Sequence, residues 1–232
     1  MDSRSDAPGG APAPAGGAAP RPVLRGWSHA VAALAAVVVT GALCRASRDD
    51  VPRAISLLVF GLSMVELYVV SAVYHIGRWS DPVRARLRAI DHANIYVLIA
   101  GTYTPICFNV LTGGTRIAML VAVWSLAIVG CGLSVFVHRV PRWLGAGLYV
   151  GMGWIGVLTI PRFVDLLRWP AVSVLLAGGV LYTIGAVIYG LKRPDPYPRT
   201  FGFHEIFHLC VIAGSAAFVI MIWIWVLPYP RA

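Results

Sequence analysis

Seven apolar runs divide the chain, at about 27–44, 54–77, 90–111, 116–138, 142–160, 170–191 and 204–227. Each is close to the roughly 20 residues with which a helix crosses the hydrocarbon core of a bilayer. No water is present there, so a lone segment satisfies its backbone N–H and C=O groups only by coiling into a helix. Charged residues make up 12% of the 232, and the mean hydropathy is +0.75. A soluble domain carries about 25% charged residues, and half of that leaves too little to wet a globule of this size. The pattern predicts an all-α polytopic protein of the plasma membrane with seven transmembrane helices.

The net charge of +9 would suggest nucleic acid if the basic residues formed a patch. They lie instead in the short gaps between apolar runs, as topology signals do, and no nucleic-acid partner is expected. Twelve Lys and Arg fall in the N-terminal tail, 78–89, 139–142 and 192–203, and seven fall in the alternate gaps. The richer side is expected to be cytoplasmic, with the N-terminus inside and the C-terminus outside. Residues 1–22, rich in Ala, Pro and Gly, hold too little apolar surface to offset their ordering entropy and are expected to be a disordered tail. Residues 23–232 then form one membrane domain.

Three local signals refine this outline. Ser80-Asp81-Pro82 reads as an N-cap with proline in the first turn, which extends the third helix back to Pro82. Gly145 to Gly156 is rich in glycine, which favours close helix packing in a membrane. Pro194, Pro196 and Pro198 predict a stiff, extended linker over 192–203. The four cysteines, Cys44, Cys107, Cys131 and Cys210, are scattered singly and form no disulfide framework.

Ionisable groups inside a membrane are costly, so each is a candidate for function. The topology puts all six histidines, His29, His75, His92, His138, His204 and His208, near cytoplasmic helix ends, so only spacing separates them. His204 and His208, at i and i+4, share one face about 6 Å apart. That spacing chelates a metal ion, and it also suits two interfacial histidines on a wet helix end. With Glu205 between them they complete the H-E-x-x-H pattern of zinc hydrolases. His75 ends the second helix on the same side, with Ser71 one turn before it. A third imidazole would complete the protein ligands of a catalytic zinc site with an open position for water; the alternative is an interfacial histidine beside Tyr74 and Trp79. Asp91 is either an ion-pair partner of Arg88 or Arg84, or a carboxylate that takes a proton from the attacking water. His92, about 100° round the helix from Asp91, reads as packing or as a support behind the site, and His29 and His138 as interfacial. Glu66, nine residues before His75, lies on the opposite helix face and is expected to pair with a buried group.

The segments Ser71-Ala72-Val73-Tyr74-His75, Ile90-Asp91-His92-Ala93-Asn94-Ile95-Tyr96 with Gly101-Thr102-Tyr103-Thr104-Pro105, and Phe203-His204-Glu205-Ile206-Phe207-His208 occur in this order. Together they resemble the haemolysin III branch of the progestin and adipoQ receptor family, from about residue 25 to the C-terminus. The resemblance implies a Zn2+ ion held by His75, His204 and His208 on the cytoplasmic side, with Asp91 beside the open position and Ser71 nearby. It further implies hydrolysis of a membrane lipid at an amide or ester bond. Glu205 occupies a position that is not acidic in the receptor branch, which adds a second candidate proton acceptor. Two other functions fit the same residues. One is an intramembrane metalloprotease with Glu205 as base, against which His75 and Ser71 argue. The other is a pore-forming cytolysin, or a receptor-like protein with structural zinc.

Overall fold

The computed structural model describes residue 22, 24–137 and 141–231. The expected disorder of the tail before Pro22 and the reading of His138 as interfacial fall outside the described residues. The chain is helical throughout: α1 (Trp27–Ala46), α2 (Val51–Ile76), α3 (Asp81–Val110), α4 (Gly113–Phe136), α5 (Arg142–Trp154), α6 (Ile160–Leu191) and α7 (Phe203–Met221). A 3-10 turn, Ile155–Thr159, joins α5 to α6, and a π turn, Ile222–Val226, extends α7. Six stretches are long and apolar enough to cross a membrane, the fifth being the 50-residue Arg142–Leu191.

That fifth stretch spans the fifth and sixth sequence runs, and it is not straight. Arg168 leaves helical geometry at φ 70°, ψ 165°, and Pro170 follows. Trp154 Nε1 donates to Thr183 Oγ1 at 2.9 Å. These residues lie at nearly equal distances along the chain on either side of Arg168, and a straight helix would hold them about 43 Å apart. The chain therefore folds back at Arg168. Tyr103 of α3 fixes the turn before the break: its hydroxyl donates to the Gly153 carbonyl and accepts the Gly156 N–H at 2.7 Å.

Helix starts follow local chemistry. The Asp50 carboxylate accepts the Arg53 N–H at 3.2 Å, and Pro52 sits in the first turn of α2. α3 begins at Asp81 with Pro82 in its first turn, as the sequence predicts. Ser80 contributes through its carbonyl, which accepts the Arg84 N–H at 2.8 Å, and makes no side-chain cap. The 192–203 segment is not the extended linker expected. Tyr197 and Phe201 pair as an antiparallel bridge, with N–H···O distances of 3.1 and 2.8 Å. Pro198 presets the φ of a reversal there, and one fixed φ serves a turn as readily as an extended chain.

Successive helices pack as neighbours, and α7 returns to α1, which closes the bundle. Leu43, Leu57, Phe60, Leu98, Phe163 and Met221 fill its centre, while Val38, Ile128, Phe136 and Leu158 face outward. The glycine expectation is corrected. In the 145–156 run only Gly156 meets a neighbour closely, at Tyr103. The close approaches lie elsewhere, at Gly61 against Thr40, Gly101 against Ser63, Gly130 against Tyr96 and Gly214 against Tyr182. Glu66 is corrected too. It is exposed on the outer face of α2, near Cys131, and forms no ion pair among the described residues. Half a turn from the inward-facing His75, it can only point out.

Candidate metal centre

Closure of the bundle brings the end of α2 against the start of α7. His75, the penultimate residue of α2, meets His204 and His208 from the first two turns of α7. One ligand-capable atom from each lies within 4.8 Å of the other two. His75 Nε2 and His204 Nε2 are 3.0 Å apart. Ring centroids are 4.6 Å apart for His75 and His204, 4.5 Å for His204 and His208, and 5.2 Å for His75 and His208. Two imidazoles on one tetrahedral zinc, at 2.0–2.1 Å each, hold their nitrogens about 3.3 Å apart. The donor set, three imidazoles with no carboxylate among them, fits that metal. His208 is 1% exposed and its Nδ1 has no hydrogen-bond partner.

The start of α7 is built to hold this geometry. Glu205 Oε2 accepts the Gly202 N–H at 2.7 Å, and Glu205 Oε1 accepts from Arg25 Nε at 2.9 Å. Asp195 Oδ1 accepts the Phe203 N–H at 3.0 Å. The segment before α1 lies across the same end: the Leu24 N–H meets the Thr200 carbonyl at 3.4 Å. Gly26, at φ 89°, passes so close to His75 that a Cβ would sit 2.8 Å from the His75 Cβ. Glycine is needed there both for its left-handed backbone and for space.

Inward from the histidines opens a largely apolar cavity. Its polar end carries His204, His208, His29, Asp91 and Ser71, and its walls run along α3, α5 and α6 to Phe163 and Phe218. Ser71 lies close to the Asp91 carboxyl. No arginine pairs with Asp91 among the described residues. Among the described residues the basic side chain nearest its carboxylate is the His92 imidazole, with Nδ1 at 3.8 Å. His92 is engaged by the Arg88 carbonyl at 2.7 Å and the Tyr189 hydroxyl at 3.1 Å.

The fold thus brings together His75, His204, His208, Asp91 and Ser71. Sequence reasoning missed His29, which it treated as interfacial. His29 is 2% exposed and its ring stacks on that of His208, with centroids 3.7 Å apart and planes 12° apart. No spacing rule could have found it, because its neighbour comes from the far end of the chain.

The chain matches the family model described as haemolysin-III related over residues 18–219. It is 36% identical to a Hemolysin-3 homolog of Bacillus subtilis over 163 residues, 70% of this chain and 73% of that one. It is 26% identical to the human monocyte to macrophage differentiation factor over 204 residues, 85% of this chain and 81% of that one. The Drosophila melanogaster adiponectin receptor protein is 28% identical over 214 residues, 83% of this chain and 47% of that one.

Proposed function

The chain belongs to the haemolysin III-related family and is a multi-pass integral membrane protein, and from that premise we propose that it is a zinc-dependent hydrolase of a lipid amide or ester bond. The observation that carries this reading is the meeting of three imidazoles, two of which, His204 and His208, line an apolar cavity together with Asp91 and Ser71. Such a cavity suits an acyl chain, and its histidine end is where a headgroup linkage would lie.

His75, His204 and His208 would hold the ion. Bound there, zinc would supply a Lewis acid and a water whose pKa is lowered to about 7. Asp91 accepts the proton of the attacking water and delivers it to the leaving nitrogen or oxygen. Ser71, next to Asp91, orients that carboxylate or donates to the oxyanion that develops on the carbonyl. The apolar walls keep bulk water away. The engagement of Glu205, one oxygen on Arg25 and the other capping α7, supports Asp91 over Glu205 as the base. The same engagement counts against the protease reading, which needs Glu205 as base.

The reading includes the topology. The 50 residues of Arg142–Leu191 span about 75 Å if straight, more than twice the bilayer core. Folded at Arg168 they supply two crossings, seven in all, with the histidine end of the bundle in the cytoplasm.

The test is a pair of variants assayed for zinc content and for release of fatty acid from a panel of lipid amides and esters. Asp91→Asn is expected to keep about one zinc per chain and to lose roughly 10²–10⁴-fold in turnover. Glu205→Gln is expected to retain most turnover. The opposite ranking moves the chemistry to Glu205, and absence of hydrolysis across the panel rejects the enzyme reading.

A further inference from the structure

His29 enters the bundle from the first turn of α1 and lines the polar end of the cavity beside Asp91 and Ser71. Its ring is 2% exposed, and neither nitrogen makes a hydrogen bond. The backbone of His208 lies close to the ring but outside hydrogen-bond geometry. An unpaired polar group in an apolar interior costs free energy that a phenylalanine of similar shape would avoid. Packing alone therefore does not account for an imidazole here.

The ring is also held firmly. One face lies on His208 at 3.7 Å, and Tyr68 of α2 flanks it with centroids 5.0 Å apart. Tyr68 is itself fixed: its hydroxyl donates to Ser215 Oγ at 2.7 Å, and Tyr182 of α6 meets the same oxygen at 2.8 Å. The three hydroxyls occupy one another, so none of them is directed at His29. The structure thus keeps a neutral imidazole, one nitrogen a donor and the other an acceptor, rigidly in the cavity wall with nothing of its own to bond.

We propose that His29 is a substrate-binding residue, which hydrogen-bonds the polar linkage or headgroup of a lipid whose acyl chain fills the cavity. The proposal rests on the lipid reading above. It adds a recognition element separate from the three metal-facing histidines and from Asp91. The chemistry that His29 recognises is an amide N–H, a hydroxyl or a carbonyl, not a charged phosphate, which would call for a cation.

The experiment compares the parent with His29→Phe, which preserves the flat face against His208 and removes both nitrogens. Zinc content is measured first, then equilibrium binding of two radiolabelled probes to purified protein in detergent: N-palmitoyl ethanolamine, and a hydrocarbon of equal length with no polar group. The proposal expects His29→Phe to hold zinc as the parent does and to bind the hydrocarbon equally well. Affinity for the amide lipid should fall about tenfold, the worth of one buried hydrogen bond. Unchanged amide binding in His29→Phe overturns the proposal, and so does loss of zinc, which would make the residue a support for His208. A parent that binds neither probe removes the lipid reading together with this proposal. A parent that binds the amide lipid without hydrolysing it removes the hydrolase reading alone.

Discussion

Two carboxylates stand near the three histidines, and what each already touches separates them. Both oxygens of Glu205 are occupied, one by the Arg25 guanidinium and one by the Gly202 N–H. Asp91 lies by Ser71 on the cavity and forms no ion pair with arginine among the described residues. Glu205→Ala should therefore act as a structural variant. It frees the Gly202 N–H and leaves Arg25 unpaired, which costs about 1–3 kcal/mol. Thermal melts in detergent should show that loss, while the protein that remains folded keeps its zinc. Residues of this kind were legible in the sequence when chemistry and spacing coincided, as with His204 and His208 one turn apart, or Ser71 and His75. His29 was not legible, because its meaning lies in a ring stacked on it from α7. The occupation of Glu205 was equally hidden, since Arg25 comes from the segment before α1.

Helix boundaries were read well where end chemistry is local and poorly where a neighbour decides. Pro82 announced the true start of α3, and the 170–191 run matches the part of α6 beyond the break at Arg168. Glycine content pointed at α5, yet the close helix approaches involve glycines of α2, α3, α4, α6 and α7. Composition counts glycines but cannot say which face of a helix meets another. The difference gives a paired prediction. A Cβ at Gly214 would press on the Tyr182 ring, whereas one at Gly147 has nothing within 4 Å. Gly214→Ala should destabilise by about 1–3 kcal/mol, the usual effect of overpacking. Gly147→Ala should be neutral or stabilising by up to about 1 kcal/mol, the helix-propensity difference. Denaturation of the two variants in one detergent compares them directly. At the start of α7, Asp195→Ala removes the acceptor of the Phe203 N–H and should cost about 1 kcal/mol, as for a lost helix cap.

The bundle as a whole was the most legible level, since seven apolar runs in a charge-poor chain admit few alternatives to a membrane helix bundle. The sequence does not disclose how that bundle closes. His75 comes from α2 and His204 and His208 from α7, so an ion held by all three ties two helices that are far apart in the chain. Those helix ends are otherwise held by the α1–α7 contact and by Arg25 on Glu205. A ligand that binds the folded state alone stabilises it by mass action, by about 2.7 kcal/mol at a hundredfold excess over its dissociation constant. For a chain of this length that corresponds to roughly 5–10 °C in melting temperature. Chelation should lower the melting temperature of the parent by this amount, and restored zinc should recover it. His208→Ala removes the buried member of the set and should melt at one temperature with or without chelator. Arg25→Ala loosens the same end without touching a ligand. It should lower both melting temperatures while keeping the gap between them. If His208→Ala still responds to chelator as the parent does, the ion is held elsewhere, and the meeting of α2 and α7 rests on packing and the Arg25–Glu205 pair alone.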